Sequence, residues 1–454
     1  MTTEADLRPA PLAAAGAVQH EPAPEYVWPS DPLVRQSLGH WQDLKVGVII
    51  HWGIYTSIGQ GGSWSLHRED LGWFTDPPED WHGTDAEYHT WYYDQARTFT
   101  GEDFDAQEWA SACAAAGMRY CVFTTKHHDG FCMYDSQYTN LKCTSEESGL
   151  RRDVLREVTE AFRDNGLEMG AYFSKADWSR PEYWNRSVPI KDRFHNYSIH
   201  THPRAWNRFV EFTRDQIEEI LTGYGPFSVL WLDGGWVCAP KEPIDIDGIA
   251  RTARKAQPGI LVVDREVPGP HQNYLTPEQQ LPSTPLRVPW EACISLTKEW
   301  CAMRPDDPAK STAETIGNLV RIVAGGGNYL IGIGPDARGR MVPSVRRFLR
   351  DLGEWMQVCG EGIYSTRPPE NPPSVTSDDD LSWHLTQRDG ALYAFGLSGA
   401  DSIPATTLHV GAKLSTVNML GSGPLQFHAD GDTTVVTVPP SATRWATCLR
   451  IALA

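Results

Sequence analysis

The nine cysteines of this chain form no C-x-x-C pair; they stand singly at Cys113, Cys121, Cys132, Cys143, Cys238, Cys293, Cys301, Cys359 and Cys448. An odd, scattered set argues against a cysteine-built structural zinc and for reduced thiols in a cytoplasmic setting. No apolar run is long enough to span a bilayer. Basic residues are in deficit, 40 against 58 acidic, for a formal net charge of −18. A field of that sign repels phosphate backbones and anionic membrane surfaces, so neither nucleic acid nor membrane is an expected partner. There is no glycine-rich phosphate loop either. Gly325-Gly326-Gly327 follows a helical pattern and precedes an extended one, the reverse of the order such a loop needs. The N-terminal stretch lacks the basic start of a signal peptide, and residues 1–30 read as a disordered Ala/Pro-rich tail.

What the sequence has in quantity is tryptophan, eighteen in 454 residues. Most belong in a core of this size, yet indole also makes the flat apolar face that a partly wet ligand such as a sugar meets. The length suits two domains. From Val46 onward, apolar extended runs ending near Ile50, Thr124, Phe173, Leu232, Val263 and Ile333 alternate with amphipathic helical patterns. Repeated βα units predict a parallel sheet covered by helices. A TIM-like (β/α) barrel over residues 31–366 is favoured over an open doubly wound sheet. His, Asp, Arg and Trp recur after several strand C-termini, the rim where barrels place their chemistry, and not at one switch point. A Pro-rich linker at 367–373 leads to short alternating runs over 374–454, which predict a small antiparallel β-sandwich.

Asp233 closes the run Ser228-Val229-Leu230-Trp231-Leu232 and is followed by two glycines. A carboxylate at a strand end needs donors or a substrate cation, because burying it alone is costly. An Asp-Gly turn is the competing reading; Trp231 and Trp236 beside it tip the balance toward a sugar platform. His51, His127 and His128 also stand at strand ends. Imidazole is the commonest metal ligand, but adjacent His127 and His128 in an extended chain should point to opposite sides. Hydrogen bonding to sugar hydroxyls therefore fits better than a shared metal, and no cofactor is expected. Arg265, after Val262 and Val263, can orient a carboxylate or donate to a ring hydroxyl, or simply pair with Asp264 or Glu266. A glycosidase needs two carboxyl groups flanking the scissile bond. For the second, Glu291 lies in an apolar segment where desolvation raises its pKa as an acid requires, and Glu278, on a loop, comes next.

Five motifs in order carry a family resemblance: Val46-Gly47-Val48-Ile49-Ile50-His51-Trp52-Gly53; Thr124-Thr125-Lys126-His127-His128-Asp129-Gly130-Phe131; Gly170-Ala171-Tyr172-Phe173-Ser174 with Asp177-Trp178; Leu230-Trp231-Leu232-Asp233-Gly234-Gly235-Trp236; and Trp290-Glu291-Ala292-Cys293. From Trp41 to Pro335 the chain resembles the α-L-fucosidases of glycoside hydrolase family 29. The resemblance implies a metal-free, retaining exo-α-L-fucosidase that acts on fucosylated oligosaccharides or glycoconjugates through a covalent glycosyl-enzyme. It implies Asp233 as nucleophile, with His51, Trp64, His127, His128, Tyr172, Trp231 and Arg265 holding the sugar ring. The Trp-Glu match favours Glu291 as acid/base, with Glu278 in reserve.

One departure stands out. Family members commonly carry Glu-Trp-Tyr after the first strand, its Glu and Trp touching the sugar; here Gly62-Ser63-Trp64-Ser65 keeps the tryptophan and puts Ser63 where the carboxylate belongs. His67 and Glu69 are candidates for the missing contact, and the insertion from Asp70 to His89 for a lid or aglycone wall. Three other readings stay beside the first: a catalytically impaired carbohydrate-binding barrel, a hydrolase of a related sugar such as an α-L-galactoside, and a metal-dependent hydrolase using His51, His127, His128 and Asp233. The sequence leaves a homo-oligomer open.

Overall fold

Seven short apolar segments make the central sheet: β1 Val46–Ile50, β2 Tyr120–Lys126, β3 Glu168–Ser174, β4 Val229–Asp233, β5 Leu261–Asp264, β6 Glu291–Ser295 and β7 Asn328–Ile333. Nearly every residue in them is buried, as expected of parallel strands covered on both faces. The structure, a computed structural model, describes residues 26–70, 81–301, 304, 306–441 and 443–454. Most of the expected N-terminal tail and part of the expected wall at 70–89 lie outside the described residues.

The strands pair in parallel in the order β5-β4-β3-β2-β1-β7-β6. Eight helices are described: α1 Pro32–Leu44, α2 Asp85–Asp94, α3 Ala106–Ala115, α4 Val154–Asp164, α5 Pro203–Gly223, α6 Ile246–Ala256, α7 Thr312–Ala324 and α8 Pro343–Cys359. Asp153 caps α4 by accepting from the Arg156 N–H, and Ser311 caps α7 in the same way. Val158 and Phe162 of α4, Ile217 and Ile220 of α5 and Leu352 of α8 share one apolar cluster with Val48, Cys121 and Leu230 of the sheet. A second cluster fills the inside of the curl with Ile49, Val122, Tyr172, Trp231, Val263 and Leu330. Into it α1 inserts Val34, Leu38 and Trp41. Trp41 stacks on Tyr274 with centroids 4.0 Å apart, and its carbonyl accepts from Asn328 Nδ2 at 2.7 Å. The first helix thus stoppers the end of the curl where the strands begin.

The sheet curls without closing in a continuous ladder, which corrects the expectation of a fully formed TIM-like barrel. The gap lies between β5 and β6, and the segment 271–279 runs through it. Asn273 N–H donates to Val262 O on one side; Glu291 N–H donates to Leu275 O and Cys293 N–H to Pro277 O on the other. Pro277 lies in this segment, flanked by Pro268 and Pro270 before it and by Pro282, Pro285 and Pro289 after it. Pro277 removes a donor that an eighth strand would need and the flanking prolines limit its extension, in keeping with isolated bridges in place of a ladder. Residues 375–453 form two antiparallel sheets, of five and four strands. Leu392, Val417 and Ile451 of one share an apolar cluster with Leu408 and Val436 of the other.

Immediately below the rim, Lys126 at the end of β2 is fully buried. Its ammonium meets Asp177 Oδ2 at 3.0 Å and Gln216 Oε1 at 3.1 Å, above the Phe173 ring. Removing one member of such a pair strands the other charge in a dry interior. Asp177→Ala is therefore expected to cost about 3–5 kcal/mol, measured by chemical denaturation. Lys126→Met combined with Asp177→Ala should recover much of that loss.

Candidate active site

Asp233 is the last residue of β4, and each of its carboxylate oxygens has a donor. Arg265 Nη1 reaches Oδ1 at 2.8 Å, and the Tyr172 hydroxyl donates to Oδ2 at 2.6 Å. Burial alone would raise this carboxyl's pKa. The Arg265 guanidinium, the Tyr172 hydroxyl and the Gly234 N–H override it and hold the group well below the usual carboxylate range. Arg265 sits one residue beyond β5, the strand paired with β4, and its guanidinium lies 4.7 Å over the Trp231 ring.

The same guanidinium serves two further carboxylates. Its Nη2 contacts Glu278 and lies 3.4 Å from Glu266 Oε1. Glu278 is almost entirely buried, and that burial pushes its pKa up to about 7; Arg265 opposes the rise, while Glu266 and Asp233 add to it. With its pKa near 7, Glu278 exchanges its proton around neutral pH, chiefly because it is buried.

Glu291 lies one layer lower. It is the first residue of β6, whereas Glu278 bridges to Cys293, two residues nearer the rim on the same strand. Its Oε2 accepts from the Tyr120 hydroxyl at 2.6 Å and its Oε1 from Trp231 Nε1 at 3.2 Å. Trp231, two residues before Asp233 and so on the same face of β4, lies at Glu291's level. Burial lifts the Glu291 pKa to about 7 as well, with the Tyr120, Trp231 and Tyr274 contacts opposing it. The structure thus brings Asp233, Arg265 and Glu278 together at the rim and leaves Glu291 beneath them, bonded to the floor.

His127 and His128 do not diverge as an extended chain would make them. β2 ends at Lys126, so the strand's alternation stops there, and the two ring centroids lie 4.2 Å apart. Burial holds the His51 pKa down to about 3 and that of His128 likewise, and drives His127 well below its ordinary value. All three are neutral. The His128 tautomer follows from its neighbours. Ser174 O–H donates to Ala176 O at 2.7 Å, so Ser174 Oγ accepts from His128 Nδ1–H at 2.6 Å. His128 Nε2 is then an acceptor; it is buried, has no hydrogen-bond partner, and faces Asp233 Oδ2 at 3.8 Å. Two acceptors facing each other across that distance call for a donor such as a hydroxyl. His51 Nδ1 is a second buried ring nitrogen without a partner. Trp64 stands edge-on to His128 at 4.9 Å, backed by Trp178 and Trp236. Among the described residues, no group of three or more His, Cys, Asp or Glu side chains could hold a metal ion.

Three further residues belong to this site. Glu266 was weighed only as a partner for Arg265, although it follows that rim position directly. Trp300, tilted over His51 at 5.1 Å, arrives on the loop after β6; an aromatic just past a strand C-terminus was its available signal. Ser63, noted only for what it replaces, meets His127 Nδ1 through its Oγ at 2.6 Å.

Comparison with known proteins bears on this arrangement. The family profile described as "Alpha-L-fucosidase" matches residues 13–361. The chain is 28% identical over 472 residues to an α-L-fucosidase of Branchiostoma floridae, covering 94% of this chain and 96% of that one. It is also 28% identical over 445 residues to the tissue α-L-fucosidase of Rattus norvegicus, covering 91% and 88%. Among solved structures, α-L-fucosidase isoenzyme 1 from Paenibacillus thiaminolyticus superposes with a TM-score of 0.75 at 27% identity, over 93% of this chain and all of that one. The α-fucosidase of Thermotoga maritima gives 0.72 at 25%, over 94% of this chain and 100% of that one. The chain belongs to the α-L-fucosidase family of glycoside hydrolases, family 29.

Proposed function

We propose that this protein is a retaining exo-α-L-fucosidase that removes terminal α-L-fucose from oligosaccharides or glycoconjugates. The observation that carries the mechanism is geometric: Asp233 and Glu278 meet the two Nη atoms of one guanidinium, with Asp233 held well below the usual carboxylate range and Glu278 pushed up to about 7. In the first step Asp233 attacks the anomeric carbon while Glu278 gives its proton to the departing glycosidic oxygen. The C–O bond to the aglycone breaks and an ester to Asp233 forms. In the second step ionised Glu278 takes a proton from water, which displaces Asp233 from the sugar. A carboxylate held at low pKa is a good leaving group, so the Arg265 and Tyr172 bonds that restrain the nucleophile at rest favour its release. The neutral imidazoles of His51, His127 and His128 bind ring hydroxyls without adding a cation that would draw the proton off Glu278. Glu278 is preferred to Glu291 as acid/base because Trp231 and Tyr120 engage the latter's carboxyl a layer below the rim.

Asp233→Ala is expected to lower kcat on an aryl α-L-fucoside by at least about a thousandfold, while a chelator leaves the wild type unchanged. An aryl α-L-galactoside, assayed beside it, should be the poorer substrate. The pH profile of kcat/KM follows from the two carboxyl groups. Asp233 must be ionised, and its depressed pKa keeps the acid limb below the working range. Glu278 must be protonated, so activity falls as pH rises through about 7. Glu278→Gln should abolish that alkaline limb and spare substrates with activated leaving groups such as dinitrophenol, which need no proton. The same signature in Glu291→Gln, and not in Glu278→Gln, would reverse the assignment.

A further inference from the structure

The segment Gly61-Gly62-Ser63 forms a narrow strip of nearly bare backbone at the edge of the site. On one side, a Cβ at Gly62 would fall 3.2 Å from Trp64 Cδ1 and 3.3 Å from His127 Cε1. On the other, a Cβ at Gly61 would fall 2.6 Å from Glu299 Oε2 and 2.7 Å from Glu299 Cβ. Glu299, on the loop after β6, therefore rests directly on the backbone two residues before Ser63. Its neighbour Trp300 tilts over His51, so this loop reaches the site at two adjacent residues.

The state of that carboxylate is unusual. Among the described residues the Glu299 carboxylate has neither a hydrogen-bond donor nor an ion-pair partner; only its backbone carbonyl is engaged, by the Thr297 hydroxyl at 2.7 Å. Burial raises its pKa, with Lys298 opposing and Asp307 adding. Glu299 is half-buried and its carboxylate oxygens are not among the buried atoms without a partner, so the group is open to solvent, and to a ligand hydroxyl, on one side. Most other groups near the strip are engaged, although Gln60 Oε1 and His67 Nε2 are buried without a partner; as a ring N–H, His67 Nε2 can donate to a sugar hydroxyl but cannot accept from one. Ser63 Oγ meets His127 Nδ1. Glu69 is held on both oxygens by Arg193, at 2.8 and 3.1 Å, and His67 Nδ1 accepts from the Glu69 N–H at 3.1 Å. The two residues expected from sequence to replace the missing carboxylate are thus committed to other partners through these atoms.

We propose that Glu299 is the hydroxyl acceptor at this edge of the site, receiving a hydrogen bond from one ring hydroxyl of the bound sugar. It fills, from the opposite side of the glycine strip, the part that a glutamate beside the tryptophan plays in relatives. Ser63 and the two glycines make room for it: a side chain at Gly61 would displace the carboxylate, and a glutamate at Ser63 would set two carboxylates against each other. The proposal names a specificity-determining residue and rests on the fucosidase reading above.

The test pairs enzyme variants with substrate variants. Wild type and Glu299→Ala are assayed for kcat/KM on an aryl α-L-fucoside and on its monodeoxy analogues. A lost hydrogen bond to a charged acceptor corresponds to about a 10- to 100-fold fall. Glu299→Ala should show that fall on the parent substrate and lose most of it on the one analogue that lacks the partner hydroxyl. Ser63→Glu added to Glu299→Ala should restore part of the activity. An equal fall on every analogue, or no fall on the parent, overturns the proposal and leaves the fucosidase assignment standing. If wild type is inert on all of these substrates, the functional reading fails separately, and calorimetric binding of L-fucose decides: equal affinity in wild type and Glu299→Ala overturns the proposal.

Discussion

A single cation, the guanidinium of Arg265, organises this active site. It lies among Asp233, Glu266 and Glu278, with a fourth contact to the face of Trp231. Coulomb attraction in a partly dry site is strong, but one positive charge cannot neutralise three negative ones. The imidazoles nearby do not help, because burial keeps them neutral. Of the carboxyl groups around it, burial pushes Glu278 up to about 7 and Arg265 holds Asp233 well below the usual range. Unlike roles for two like residues follow from geometry and charge count, without any special chemistry in the residues themselves.

The fold exists to hold that guanidinium in register. Asp233 ends β4 and Arg265 follows the adjacent β5, so parallel pairing alone brings them side by side. Lys175 tightens the same junction: its N–H donates to Asp233 O at 3.0 Å, and its buried ammonium pairs with Asp264, next to Arg265. Trp231 supports the guanidinium from below and stacks near Tyr172, the other donor to Asp233. Glu291 in turn fixes the Trp231 indole by its N–H. Two buried acids in one curled sheet thus sit in different layers. Glu278 arrives at the rim because a proline-rich segment replaces the strand that would otherwise close the barrel. The irregularity that keeps the ladder open is also what delivers the second carboxyl group.

Much of this was legible in the sequence, and the exceptions have physical causes. The central strands announced themselves as short apolar runs, and β1 and β7 fall on the residues expected, because parallel strands buried on both faces leave no polar interruption. α4 was legible down to its Asp153 cap. Helix α1 was not, since it buries only Val34, Leu38 and Trp41 and reads as a weak stripe. Helix α2 was hidden inside an apparent insertion despite its Thr84–Glu87 capping box. Asp233 stood out by its position at a strand end, whereas Tyr172 was named only through the family resemblance; the structure sets the two in contact. Glu299 escaped because its importance depends on a through-space contact with Gly61, which no local pattern records. The order of Glu291 and Glu278 also needed coordinates: both are buried and both are pushed up to about 7, and only the layer each occupies separates them.

The central claim is that Asp233, ionised beside Arg265, becomes bonded to the sugar during turnover. Its most direct test is incubation of the wild type with a 2-fluoro fucosyl fluoride, which slows release of a glycosyl-enzyme, followed by proteolysis and mass spectrometry. One fluorofucosyl label is expected, located on the peptide containing Asp233 and released as enzyme activity recovers. A label on another carboxylate, or turnover of ordinary substrate with no labelled enzyme at all, would contradict the claim.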